Sequence, residues 1–227
     1  MDNLLIALDV DTGRNALNLA DSLRDLAGGF KIGSRLFTNE GPTLVRTLVE
    51  RGDRVFLDLK YHDIPSVVGS ALRAASTLGV WMATIHTAGG VAMMRAAKDS
   101  AGDDGTLVVG VTVLTSFSQL TLSTIGVPRL VEDQVDAMAK LAAEAQIDGV
   151  VASPLELPRL RKQRGSDFLI VTPGIRKHAQ NDDQTRTLSA QEAIQAGASY
   201  LVVGRPIIEA KDPRKAAEII CEEMDDA

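Results

Sequence analysis

Eight short apolar runs recur along this 227-residue chain, each followed by an amphipathic stretch, and that recurrence restricts the fold more than any single motif does. The runs cover residues 4–8, 30–33, 55–58, 81–86, 106–112, 149–152, 168–172 and 200–203. They are continuously apolar rather than alternating, which suits strands buried on both faces of a parallel sheet. In the first amphipathic stretch, Ala16, Leu19, Leu23 and Leu26 fall on one stripe, Asp21 and Arg24 lie off it, and Gly28-Gly29 closes it. Similar stretches lie near 40–51, 66–78, 91–98, 131–145, 154–163, 189–196 and 213–224. Eight strand–helix units predict an α/β protein with a (β/α)8 TIM barrel, one domain over residues 1–227. A doubly wound open sheet is the rival, but the first run ends Leu8-Asp9-Val10-Asp11 without a G-x-G-x-x-G turn. Two connections are long, 113–130 and 174–188, and the second, rich in Gln, Asn and Asp, reads as a lid over the catalytic face.

Composition removes several classes of function. Hydrophobic residues make up 45% of the chain, enough for a sizeable core, and the net charge of -6 argues against nucleic acid and anionic membranes as partners. The single cysteine, Cys221, can form no disulfide within the chain, and no cysteine cluster exists to hold zinc. No apolar run approaches the ~20 residues of a membrane helix. Met1-Asp2-Asn3 leads straight into the first strand without a signal peptide, so the expectation is a soluble, cytoplasmic protein.

The run Asp58-Leu59-Lys60-Tyr61-His62-Asp63 places two carboxylates and an ammonium at the end of an apolar strand. Residues i and i+2 of a strand share a face, so Asp58 and Lys60 point together, roughly 6.6 Å apart along the chain. Such charges are expensive to bury unless they pair or do chemistry; a structural ion pair is the plain alternative. Other strand ends are polar too: Asp9 after the first, Lys31 within the second, His86 at the fourth, Thr112 and Thr115 after the fifth, and Gly204-Arg205 after the eighth. In a barrel these carboxyl ends line one site. Gly204-Arg205 stands where barrels hold phosphate, glycine admitting an anion to the backbone and arginine offering a two-pronged fork. Arg176 and Gln184, in the long seventh connection, could close over the same anion. His62, His86 and His178 are not in metal-ligand spacing and no nucleophile elbow occurs. His86 reads as a satisfied strand-end histidine, His62 as a loop residue near the site, and His178 as lid surface. A lysine–aspartate network of this kind suggests electrostatic and proton-transfer chemistry at carbon.

Seven segments, in order along nearly the whole chain, resemble the orotidine 5'-phosphate decarboxylase family in its bacterial single-enzyme form. They are Leu8-Asp9, Phe30-Lys31-Ile32-Gly33, Asp58-x-Lys60-x-x-Asp63-Ile64-Pro65, His86-x-x-Gly89-Gly90, Val113-Leu114-Thr115-Ser116, Thr172-Pro173-Gly174-Ile175-Arg176 and Val203-Gly204-Arg205. The resemblance implies decarboxylation of orotidine 5'-monophosphate to UMP, the last step of de novo pyrimidine synthesis, without metal or cofactor. It implies a catalytic array of Lys31, Asp58, Lys60 and Asp63. In the family the last of these serves the neighbouring subunit, which implies a homodimer with shared sites. By the same implication Asp9 and Lys31 bind ribose hydroxyls, Ile64 and Thr115 contact the substrate, Thr115 at the amide edge of the pyrimidine, and Arg176, Gln184, Gly204 and Arg205 hold and cover the phosphate. One departure matters: many relatives carry threonine two residues after the proline of D-I-P, where this chain has Val67 preceded by Ser66. Unless Ser66 substitutes, a ribose hydrogen bond worth roughly 1 kcal/mol is lost.

Two other readings compete. A 3-keto-gulonate 6-phosphate decarboxylase shares D-x-K-x-x-D but uses a metal to stabilise an enediolate; the T-P-G-I-R and V-L-T-S segments favour a nucleotide base instead. A non-catalytic phosphate-binding barrel would bind UMP without releasing CO2.

Overall fold

A computed structural model of the protein describes residues 2–102, 105–176 and 187–227. All eight predicted apolar runs form strands: β1 Leu4–Ala7, β2 Gly29–Gly33, β3 Val55–Tyr61, β4 Met82–His86, β5 Leu107–Val111, β6 Gly149–Val151, β7 Leu169–Thr172 and β8 Tyr200–Val203. They pair in sequence order, every pair parallel, and β8 closes on β1 through Leu4–Leu201, Leu5–Val202 and Ile6–Val203. The result is the expected (β/α)8 barrel. A closed barrel leaves no strand edge unpaired, which is why short, fully apolar strands suffice.

The helices are α1 Gly13–Leu23, α2 Ser34–Glu50, α3 Pro65–Thr77, α4 Gly90–Ala101, α5 Gln119–Thr124, α6 Val131–Glu144, α7 Leu157–Arg164, α8 Ala190–Gln195, α9 Arg205–Ile208 and α10 Pro213–Asp225. Three differ from expectation. Helix α1 ends at Leu23, before Leu26, and Gly29 already belongs to β2; its buried stripe is Ala16, Ala20 and Leu23, small residues that let the helix approach the barrel. Helix α2 starts six residues before the predicted 40, and the break that hid its first half is at Gly41, with φ 63°, followed by Pro42. The long connection after β5 contains α5, whose first turn is capped by Ser118 accepting from the Thr121 amide.

Side chains alternate between two cores. Outward residues such as Leu4, Ile6, Phe30, Ile32, Leu57 and Ile85 pack under the helices, while Leu5, Ala7, Phe56, Met82, Val109, Val171 and Val202 fill the barrel interior. At the amino ends of β7 and β8, the Arg161 guanidinium of α7 donates to the Phe168 and Gly197 carbonyls, to the Gly165 carbonyl at 2.9 Å and to Ser199 Oγ at 2.6 Å. It ties two strands and a helix at the face opposite the site. Because hydrogen bonds to charged groups contribute about 1.5–3 kcal/mol each and these are shared, Arg161→Ala should lower unfolding free energy by about 2–4 kcal/mol in urea titrations. Arg161→Lys should recover little of it, since an ammonium lacks the planar fork. A loss below about 0.5 kcal/mol in Arg161→Ala would refute this role.

Candidate active site

Above the inner core, at the carboxyl ends of the strands, opens a cavity of about 290 Å³. Its apolar floor includes Ala7, Phe56, Val111, Val151, Val171 and Val202, inward residues near the carboxyl ends of their strands. Its polar lining includes Asp9, Lys31, Asp58, Lys60, Thr115, Ser116, Arg176 and Arg205, with Gly204 beside them. Strand geometry explains the ring: Ala7 and Asp9, Phe56 and Asp58, Val202 and Gly204 are pairs two residues apart that share a face.

The centre of the ring is Asp58. Its carboxylate is 14% exposed and accepts from Lys60 Nζ at 2.8 Å through one oxygen, while Lys31 Nζ lies 3.6 Å from the other. Lys31, 10% exposed, also donates to Asp9 Oδ1 at 3.1 Å. Charges therefore alternate Asp9, Lys31, Asp58, Lys60. Gly33 makes room for this, because a Cβ there would stand 3.2 Å from Lys31 Nζ and 3.3 Å from Asp9 Oδ1. Burial alone would raise the Asp58 pKa; the Lys31 and Lys60 charges, the Lys60 hydrogen bond and the Thr84 hydroxyl outweigh it and hold the pKa below the usual carboxylate range.

The strand is not regular where it carries this pair. Lys60 has φ 53°, in the left-handed region that costs a non-glycine residue about 1–2 kcal/mol. The pairing of β3 with β4 is regular up to Leu57–Ala83 and resumes at Tyr61–Ile85. Across the gap, the Lys60 amide donates to Thr84 Oγ1 at 2.8 Å, and Thr84 Oγ1 donates to Asp58 Oδ1 at 3.0 Å. Thr84 is a residue that motif reasoning missed. The one available signal was period-two alternation, which puts Met82, Thr84 and His86 of β4 on the inward face.

Asp9, Lys31, Asp58, Lys60, Thr115, Arg176, Gly204 and Arg205 are thus brought together as expected. Asp63 and Ile64 are not. Both are exposed and outside the lining of their own chain's cavity; the Asp63 carboxylate accepts from the Ile64 amide at 2.7 Å, and Ile64 is 62% exposed. Beta strand β3 ends at Tyr61 and Pro65 begins α3, so the segment turns away from the barrel axis before Asp63. Gln184 and His178 lie outside the described residues. Thr112 also turns from the cavity and donates to the Val151 carbonyl at 2.9 Å. His86 and His62 stack obliquely, ring centroids 5.4 Å apart. Burial, with the neighbouring charges of His62 and Lys60, pushes the His86 pKa down against the pull of Asp58. Among the described residues, no three His, Cys, Asp or Glu side chains gather as a metal-binding group, and no helix is long and apolar enough to cross a membrane.

Residues 2–220 match the family described as Orotidine 5'-phosphate decarboxylase / HUMPS. A protein of Trichlorobacter lovleyi named orotidine 5'-phosphate decarboxylase is 46% identical over 229 residues, covering 98% of this chain and 95% of that protein. One of the same name from Dichelobacter nodosus is 47% identical over 220 residues, covering 96% of each. Among solved structures, orotidine 5'-phosphate decarboxylase from Lactobacillus acidophilus superposes with a TM-score of 0.88 at 35% identity over 98% of both chains.

The depressed pKa of Asp58 has a testable consequence. A carboxylate whose pKa is lowered on folding stabilises the fold fully above its unfolded value, about 3.9, and that contribution disappears as pH falls through the lower folded value. A carboxyl-carbon NMR titration should therefore place the Asp58 midpoint below about 3.9. A midpoint above about 5 would contradict the two-lysine clamp.

Proposed function

The chain belongs to the Orotidine 5'-phosphate decarboxylase / HUMPS family, and from that premise we propose that it converts orotidine 5'-monophosphate to UMP and CO2, as the last step of de novo pyrimidine synthesis, in a cytoplasmic homodimer. The observation that carries this reading is the alternating Asp9–Lys31–Asp58–Lys60 array at the mouth of an apolar-based cavity.

The substrate's ribose hydroxyls sit against Asp9 and Lys31, its pyrimidine amide edge against Thr115, and its phosphate against Gly204, Arg205 and Arg176, with Gln184 covering it. That pose sets the C6 carboxylate beside Asp58, a carboxylate kept ionised by its lysines. Two like charges at that distance repel, and the repulsion is relieved as the C6–carboxylate bond breaks and CO2 departs. The electron pair stays on C6. Lys60 Nζ, already placed by Asp58, stabilises that charge and transfers a proton to C6; solvent then reprotonates the amine. The reaction needs no metal, cofactor or covalent intermediate, so Lys60 acts in its charged form. Lys31 keeps the alternation of charge and holds Asp58. Grip on the phosphate stabilises the closed, water-excluding state, so that remote binding energy raises turnover as well as affinity.

Asp63 completes the catalytic set of Lys31, Asp58, Lys60 and Asp63 and serves the site of a second subunit, with Ile64 beside it against that subunit's substrate. The exposure of Asp63, and of Ile64 and Val67 on the same segment, supports this reading. Apolar side chains of that size left open beside a charged site fit an interface.

Orotidylate absorbance should fall on adding the protein, with or without EDTA; strict dependence on Mg2+ would favour the metal-using sugar-phosphate chemistry instead. Lys60→Ala should lower turnover by at least ~10³-fold while UMP still binds, because the proton donor at C6 is gone. Mixed Asp63→Ala and Lys60→Ala chains, each inactive alone, should recover up to one working site per heterodimer, and no recovery would count against an interface role for Asp63. Val67→Thr should tighten UMP binding by about fivefold, the equivalent of the ~1 kcal/mol hydrogen bond, in a calorimetric titration.

A further inference from the structure

Between Leu57–Ala83 and Tyr61–Ile85, β3 advances by four residues and β4 by two. Asp58, Leu59 and Lys60 consequently face Thr84 alone. The ladder bond that a regular strand would supply at Lys60 is replaced by a side chain: the Lys60 amide donates to Thr84 Oγ1 at 2.8 Å. A hydroxyl that accepts there has one proton left to give, and it gives it to Asp58 Oδ1 at 3.0 Å. Asp58 Oδ1 in turn accepts from Lys60 Nζ at 2.8 Å, closing a ring from the Lys60 backbone through Thr84 and Asp58 back to the Lys60 side chain. Thr84 is wholly buried and does not line the cavity, so it has no access to a substrate.

We propose that Thr84 is a positioning residue for the reaction: its hydroxyl holds Lys60 in the left-handed backbone conformation and aims the Asp58 carboxylate, fixing the distance between the crowding group and the proton donor. The inference rests on the decarboxylase reading of the site and deepens it. Without the hydroxyl, the Lys60 amide is left buried with no acceptor from β4, and the residue relaxes towards an ordinary extended conformation that swings Nζ out of place. Threonine suits the task because β-branching restricts χ1, so the hydroxyl keeps one direction. The hydroxyl also favours the ionised form of Asp58, alongside Lys31 of β2, Lys60 of β3 and Asp9 acting through Lys31; the titratable His86 of β4 and the charged Arg176 and Arg205 of the cavity complete the surroundings.

The test compares wild type, Thr84→Val and Thr84→Ser for kcat and KM on orotidine 5'-monophosphate across pH, with UMP affinity measured separately. Thr84→Val, of the same shape without the hydroxyl, should lose about 100-fold in kcat, the cost of misplacing a reacting group by an ångström. Its KM and UMP Kd should stay within about threefold, and the acid limb of its kcat profile should move to higher pH, since a donor to the charged carboxylate is lost. Thr84→Ser should retain kcat within about fivefold and leave the acid limb in place. A Thr84→Val enzyme within about twofold of wild type with an unmoved limb would overturn the proposal, as would a Thr84→Ser enzyme as impaired as Thr84→Val. If Thr84→Val does not fold, Thr84→Ala, which also lacks the hydroxyl, takes its place under the same criteria. A wild type that releases no CO2 overturns the functional reading and this inference with it, an outcome distinct from an active wild type indifferent to Thr84.

Discussion

The rest of the site is arranged around one carboxylate that would not by itself stay charged. Asp58 lies deep in a barrel whose neighbouring walls are Ala, Val and Phe, and removing an ion from water costs several kcal/mol even after relaxation. Lys31 and Lys60 approach opposite oxygens and reverse the balance, so that the group remains ionised. Each lysine needs its own support. Lys31 has Asp9 and the space left by Gly33, while Lys60 has a kinked backbone tied to Thr84. Remove Asp58 from this scheme and two neighbouring ammoniums, the buried Lys31 and the part-exposed Lys60, repel with nothing between them.

Such an arrangement stores strain, and the fold separates that strain from what stabilises it. The left-handed Lys60 and the gap in the β3–β4 ladder both lie at the carboxyl end of the barrel. At the amino end, Arg161 binds the entries of β7 and β8. Two apolar cores, one inside the barrel and one beneath the helices, occupy the space between. The irregular strand is tolerated because everything around it is regular, as expected of barrels whose chemistry sits on one face.

The segment after β3 carries the proposed sharing of sites. Two residues beyond the strand, the chain turns outward and enters α3 at Pro65, leaving Asp63, Ile64 and Val67 exposed beside the array rather than in it. The catalytic set of Lys31, Asp58, Lys60 and Asp63, on this reading, takes three members from one chain and one from another. Folding of the subunit and completion of the site are then separate events.

Much of this was legible in the residues. Eight apolar runs with amphipathic stretches between them specify a closed parallel barrel, because the two periodicities report directly which faces are buried. Polar residues at the ends of those runs, Asp9, Lys31, Asp58, Lys60 and Arg205, specify the ring, because in a barrel all strand ends meet. Local interruptions misled: Gly41 and Pro42 concealed half of α2, and the small residues of α1 mattered more than its leucines. Thr112 looked like Thr115 until the structure showed its hydroxyl bonded to the Val151 carbonyl, while Thr115, in the turn beyond β5, lines the cavity. Three things were decided only in three dimensions: the 2.8 Å contact between Asp58 and Lys60, the positive φ that permits it, and the part played by Thr84. The physical reason is that pairing between strands is non-local. A residue 24 positions away supplies the bond that sets the Lys60 backbone, and no pattern along the chain encodes which β4 hydroxyl will stand opposite a break in β3.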